Sequence, residues 1–141
     1  MDGQQKLFEY CKQVLEQNRV GGWTRPAPHL YPHQWLWDSC FIAIGLRHYN
    51  ITRVKREIKN LFRGQWKNGM IPNIIYGDDE HYKDDIWHSN VSKNTPKHLK
   101  TSGITQPPMI AEAVVRVGKG MNKKDRHEWY KSIFDDLVRY H

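Results

Sequence analysis

The sequence has no apolar run approaching the ~18 residues needed to span a bilayer, and its first ten residues, Met1 to Tyr10, are polar where a secretory signal would be apolar. The expected address is therefore the cytoplasm. On that expectation the two Asn-x-Thr/Ser triplets, at Asn50 and Asn90, are chance matches rather than glycan sites. Cysteine is scarce: Cys11 and Cys40 are the two present, with no Cys-x-x-Cys spacing. They read as a reduced, buried pair, not as a disulfide framework or a metal clip. Absent too are a His-Glu-x-x-His helix, a Cys/His ligand framework, a Gly-rich phosphate loop and a Gly-x-Ser-x-Gly elbow. His29 and His33 are four apart, but Pro28 and Pro32 keep them off a common helical face. Asp78, Asp79, Glu80, Asp84 and Asp85 lack the alternation and glycine of a calcium loop. No metal and no cofactor is expected.

What is present is aromatic and basic. The 141 residues include six Trp, seven Tyr and four Phe, too many for a disordered chain, and the length fits one domain, residues 1–141. Lys and Arg number 22 against 15 Asp and Glu, a formal charge of +7. A basic helical module binding nucleic acid is thus one reading, but the positive residues are scattered. The densest run, Arg53 to Arg63, alternates with Glu57 and apolar residues, as the solvated face of an amphipathic helix does. No nucleic-acid partner is expected.

Apolar periodicity marks five helices. The first spans about 3–18, opened by a capping box of Asp2 and Gln5, with Leu7, Cys11, Val14 and Leu15 on one face. The second, about 39–49, has Asp38 as N-cap and is apolar nearly all round, hence deeply buried. The third, about 53–65, carries Val54, Ile58, Leu61 and Phe62 in a stripe and is followed by an Asn68-Gly69 turn. The fourth opens at Thr105 with Pro107 and Pro108 in its first turn and closes at Gly118. The fifth runs from Asn122 to His141 without a stop signal, and its stripe of Trp129, Ile133, Leu137 and Tyr140 wants a partner. Residues 71–104 form a long loop with a short strand near 71–76. The whole reads as all-α. Alternation of an amphipathic helix with a nearly all-apolar one suits inner and outer layers of an (α/α)6 barrel, which five helices cannot close. Uncovered apolar faces make self-association another reading.

Three clusters could carry chemistry. Tyr31-Pro32-His33-Gln34-Trp35-Leu36-Trp37-Asp38-Ser39 sets large aromatics beside a carboxylate just before the buried helix. Rings stack on the apolar face of a pyranose, and a carboxylate accepts from its hydroxyls. Equally, Trp35 and Trp37 could be core residues and Asp38 a cap. Gln65-Trp66-Lys67-Asn68-Gly69-Met70-Ile71-Pro72-Asn73 reads alone as a turn with positive φ at Gly69. Thr101-Ser102-Gly103-Ile104-Thr105-Gln106-Pro107-Pro108 sets a glutamine amide beside a helix start.

Together and in this order, with Gly22-Trp23-Thr24 and Leu30-Tyr31-Pro32, the clusters resemble the mannosylglycerate/glucosylglycerate hydrolase-like branch of glycoside hydrolase family 63. Trp-x-Trp-Asp is shared widely among (α/α)6-barrel glycosidases, whereas Thr-Ser-Gly-Ile-Thr-Gln-Pro-Pro is much more specific. The resemblance covers nearly all of this chain and the N-terminal part of the family's barrel. It implies cleavage of an α-glucoside or α-mannoside, with a glycerate-like aglycone, by inversion between an acid and a base. It implies that Tyr31, Trp35, Trp37 and Asp38 line the sugar pocket and that Gln106 contacts sugar or aglycone. The catalytic pair of the family lies later in the barrel, so no catalytic residue is expected here, and Asp38 is a binder. Asn73 stands where relatives commonly carry histidine. The rival within this reading is a non-catalytic carbohydrate-binding or self-associating remnant.

Overall fold

The computed structural model describes residues 2–77 and 92–141. Among these are six helices and four two-residue strands: α1 (Gly3–Gln17), β1 (Arg19–Val20), β2 (Trp23–Thr24), β3 (Gln34–Trp35), α2 (Leu36–Leu46), α3 (Ile51–Arg63), β4 (Ile74–Ile75), α4 (Ile110–Gly118), α5 (Lys123–Lys131) and α6 (Phe134–Tyr140). The fold is all-α, an open helical layer that forms part of a barrel without closing one. β1 pairs antiparallel with β2, and β3 with β4 in the register Gln34 to Ile75 and Trp35 to Ile74.

The core sits where α2 packs between α3 and α4. Leu36, Cys40, Ala43 and Leu46 of α2 meet Val54, Ile58 and Leu61 of α3 and Ile110, Ala113, Val114 and Val117 of α4, with Ile71, Ile75, Trp129 and Ile133 completing the cluster. Each large aliphatic side chain buried there contributes about 2 kcal/mol from apolar area removed from water. α3 follows its periodicity closely: Asn50 caps it by accepting from the Arg53 amide at 3.0 Å. Asp2 likewise accepts from the Gln4 and Gln5 amides and opens α1. Gly69 adopts φ +93°, as its turn requires.

Other expectations are corrected. α2 begins three residues earlier than its pattern suggests, at Leu36, so Asp38 lies in its first turn and Trp35 is the N-cap. No side chain of the cap closes that end. The Leu36 amide instead donates to the Asn73 carbonyl at 3.0 Å, and the Trp37 amide to Gln106 Oε1 at 3.0 Å. Tertiary acceptors have replaced the local cap. Nor is α2 buried all round: Trp37 and Phe41 stand 40% and 54% exposed.

α4 starts at Ile110, not near Thr105. Residues 101–104 spend their backbone on β4: Thr101 bridges Ile75, the Ser102 amide donates to the Ile74 carbonyl at 3.1 Å, and the Asn73 amide donates to Ile104 O at 2.8 Å. At Pro107 and Pro108 the chain then turns tightly, the Met109 amide donating to the Pro107 carbonyl at 2.8 Å. Gly118 remains helical, with Lys119 as C-cap. The expected last helix is two, broken at Ile133, whose φ of −134° turns its side chain into the core at 2% exposure. In α1 no residue is buried: Leu7, Cys11 and Val14 face outward, and Leu15 alone of the expected face packs against the core cluster. The cysteines are free but not both buried; Cys40 is buried and Cys11 exposed.

Candidate functional site

The segment Gln34 to Ser39 joins β3 to the first turn of α2, and a buried carboxylate lies beneath it. Glu57 of α3 has no exposed surface. Its Oε1 accepts from Ser39 Oγ at 2.5 Å and Gln34 Nε2 at 3.3 Å, and its Oε2 from Thr24 Oγ1 at 2.9 Å. Arg53 Nη2 donates to Thr24 Oγ1 at 2.9 Å while Nη1 pairs with Glu16 Oε1 at 2.5 Å. Burial pushes the Glu57 carboxyl above its ordinary value, and the bonds from Ser39, Thr24 and Gln34 pull it part of the way back. Arg53 and Glu57, expected on a solvated face, are therefore interior. Periodicity carried the signal: Val54, Glu57, Ile58 and Leu61 follow the i, i+3, i+4, i+7 rule, which sets Glu57 within the apolar stripe.

Above this support the structure brings Trp37 and Gln106 together, with Asp38 the next residue along the first turn of α2. The Gln106 side chain spends its oxygen on the Trp37 amide, which leaves Nε2 as a donor. The Asp38 carboxyl is partly exposed, and partial burial raises it from its ordinary value against a backbone hydrogen bond that lowers it. Phe41, one helical turn on from Trp37, packs against its ring at 6.1 Å. Two residues absent from the expected set, Thr105 and Tyr140, belong here. Tyr140 OH lies 2.9 Å from Thr105 Oγ1 and donates to the Gln106 carbonyl at 3.1 Å, which ties α6 to the segment bearing Gln106. Burial raises the Tyr140 hydroxyl, with the Thr105 bond opposing and Cys40 adding a little. In sequence Tyr140 is a stripe residue like any other, so only the tertiary contact identifies it.

Tyr31 and Trp35 form a separate edge-to-face pair, with ring centroids 5.2 Å apart at 86°. Tyr31 is 46% exposed, and Trp35 Nε1 is buried with no hydrogen-bond partner among the described residues. No hydrogen bond links this pair to Gln106 among those residues. Asn73 is 5% exposed and accepts from Ser102 Oγ, so it is held inside the fold. Gln65, from the same sequence cluster, fastens α6, donating to Asp136 O at 2.9 Å and accepting from Arg139 at 2.6 Å. No group of three or more metal-ligating side chains occurs among the described residues, and no helix there is long and apolar enough to cross a membrane.

An exposed indole face beside a carboxylate and an amide donor suits a polyhydroxylated ring. Comparison with known proteins gives the family. The model of the mannosylglycerate hydrolase MGH1-like glycoside hydrolase domain matches residues 31–141. A mannosylglycerate hydrolase of Rubrobacter radiotolerans is 46% identical over 139 residues, covering 96% of this chain and 31% of the relative. A glucosylglycerate hydrolase of Mycolicibacterium hassiacum is 37% identical over 146 residues, covering 96% and 33%. The crystal structure of the GH63 mannosylglycerate hydrolase from Thermus thermophilus in complex with Tris and D-glycerate superposes with a TM-score of 0.82 at 34% identity, covering 96% and 32%. This chain belongs to the MGH1-like glycoside hydrolase family. It spans about a third of the length of these relatives, corresponding to their N-terminal portion.

Proposed function

We propose that this chain supplies the sugar-binding wall of a glycoside hydrolase that cleaves an α-mannoside or α-glucoside of glycerate. Trp37 stacks on the pyranose, Asp38 accepts from its hydroxyls, Gln106 donates through Nε2, and Tyr31 and Trp35 border the same mouth. The observation that carries this reading is the bond between the Trp37 amide and Gln106 Oε1. It joins the two motifs, 69 residues apart, at one point. The relatives' names, mannosylglycerate and glucosylglycerate hydrolase, and the D-glycerate in the Thermus complex support the substrate class.

The reaction is inversion: a carboxylic acid protonates the leaving oxygen while a carboxylate opposite activates water, the two standing roughly 6.5–9.5 Å apart. Glu57 cannot be one of them, since both its oxygens are buried and bonded. In this reading Asp38 binds, and the catalytic pair lies outside these residues. The test is twofold. Titration of the chain with methyl α-D-mannopyranoside should move the Trp37 and Gln106 signals in NMR spectra, and purified chain should release no mannose or glucose from glycosylglycerates. Release of either sugar by the pure chain, abolished by Asp38→Ala, would overturn the placing of the catalytic pair outside these residues.

A second reading, self-association, is favoured by the exposed apolar residues Leu7, Val14, Phe134 and Val138, each more than half exposed. Light scattering across concentration decides it: a dimer that binds sugar without turnover favours the self-associating remnant, and a monomer that binds sugar favours the wall.

A further inference from the structure

The residues that bracket the sugar-facing segment, Gln34 before it and Ser39 after it, both donate to one oxygen, Glu57 Oε1. Between them lie Trp35, Leu36, Trp37 and Asp38. We infer that Glu57 is the positioning residue of this segment: it clamps both ends of the loop-to-helix turn and so sets where Trp37 and Asp38 present themselves. The inference rests on the reading of that segment as sugar-facing.

The direction of the hydrogen bonds carries the argument. Asn60 Nδ2 donates to Gln34 Oε1 at 2.5 Å, Gln34 Nε2 to Ser39 Oγ at 3.0 Å, and Ser39 Oγ to Glu57. From the other side Arg53 donates to Thr24, and Thr24 to Glu57. Two chains of donors therefore converge on a single acceptor. Each hydroxyl accepts from a nitrogen and donates to the carboxylate, which only accepts. The two hydrogens of Gln34 Nε2 are shared among Ser39 Oγ, Glu57 Oε1 and the Glu57 backbone carbonyl at 3.1 Å, so the loop is fixed to the main chain of α3 as well as to its side chain. A fully satisfied buried network of this kind rigidifies what it holds. The chain reaches through Arg53 to Glu16 and the Leu15 carbonyl, which fastens α1 to the same assembly.

A structural filler would have none of this polarity. An apolar residue at position 57 could pack beside Val54 and Ile58, but it would leave the Ser39 and Thr24 hydroxyls without their acceptor and hold the Gln34 amide by the main-chain carbonyl alone. A glutamine of the same size would turn an amide donor toward groups that already donate.

The experiment compares Glu57→Gln, Ser39→Ala and, as a control for core loss alone, Val54→Ala in the full chain. Melting temperature and NMR spectra are recorded for each, followed by titration with methyl α-D-mannopyranoside and with D-glycerate. Glu57→Gln and Ser39→Ala should shift the Trp35, Trp37 and Asp38 signals, leave Val114 in α4 unmoved, and weaken binding at least fivefold. Val54→Ala should lower the melting temperature without moving the Trp37 amide. Unchanged Trp37 and Asp38 signals in both network variants would overturn the inference. Should Glu57→Gln fail to fold, Ser39→Ala decides alone, because it cuts one end of the clamp and leaves the carboxylate. If the segment moves as expected but the unaltered chain binds neither ligand, the sugar-facing reading falls and the positioning role stands.

Discussion

Gln106 offers a separation of two roles within one side chain. Its Oε1 accepts the Trp37 amide at 3.0 Å, in the first turn of a helix whose N-cap residue, Trp35, gives no side-chain bond. That is a capping interaction delivered from 69 positions away. Losing a side-chain cap costs about 1 kcal/mol, and Trp37, at 40% exposure, gives water access to the freed amide, which sets the cost toward the lower end. Gln106→Ala should therefore lower stability by roughly 0.5–1 kcal/mol, a fall of about 3 °C in melting temperature for a chain of this size.

Gln106→Glu behaves differently. A carboxylate oxygen still accepts the Trp37 amide, and its charge at the N-terminus of α2 is favourable. What it removes is the Nε2 donor, and with it one hydrogen bond to a ligand hydroxyl worth about 1 kcal/mol, or roughly fivefold in affinity. The pair of variants is assayed by thermal unfolding and by titration with methyl α-D-mannopyranoside. Gln106→Glu should keep the unaltered melting temperature and lose affinity; Gln106→Ala should lose both. Equal melting temperatures for the two variants, both below the unaltered chain, would refute the capping argument. Unchanged affinity in Gln106→Glu would refute the donor role.

Gly69→Ala is expected to cost about 2 kcal/mol or more. At φ +93° an added Cβ would stand 1.9 Å from the Arg139 carbonyl oxygen, so α6 must leave its seat, visible as exchange of the Gln65 side-chain amide. The two thiols should separate cleanly: a maleimide at neutral pH labels exposed Cys11, while Cys40, buried and pushed up to about 12 by burial with help from Glu57 and Asp38, resists until the chain unfolds. Labelling of both at equal rates in the folded chain would contradict the packing of α2. Glu57 makes stability depend on pH. Its folded carboxyl sits above the ordinary 4.5, so the native state holds that proton more tightly; this contribution is complete below 4.5 and is lost as pH rises through the raised value. Stability of the unaltered chain relative to Glu57→Gln should fall across that window, and a rise would refute the upward direction.

Local chemistry was legible where a local partner fixes the element. Asp2 caps α1 and Asn122 caps α5 with their own side chains, and both are visible as polar residues at the head of a periodic run. The stripe of α3 and the glycine turn after it are equally readable, because sterics and burial act within a few residues. The family motifs were readable for another reason: they are composition in fixed order and need no geometry. Illegible were the starts of α2 and α4 and the break at Ile133. The start of α2 depends on acceptors from Asn73 and Gln106, and that of α4 follows from strand pairing of Thr101 with Ile75. Local propensity yields to such partners because a buried or half-buried backbone amide must find an acceptor wherever one is offered.

The same distinction separates what the candidate site is made of from what makes it a site. Trp37 and Asp38 carry the groups suited to a sugar, and a contiguous motif displays them. Their placement rests on contacts that no motif spells out: Gln34 and Ser39 on Glu57, Trp37 on Gln106, and Gln106 and Thr105 on Tyr140. These contacts come from α3 and from the segment before α4, which α6 holds in turn, so the first turn of α2 is held from two sides by separate parts of the chain. Each of these hydrogen bonds contributes about 1 kcal/mol net, too little alone to set a ring's position against thermal motion. Ties from two directions, one of them braced from behind, restrict what each leaves free. A ligand that needs both an indole face and a carboxylate in fixed relation therefore senses changes at Glu57 or Tyr140, neither of which has to touch it.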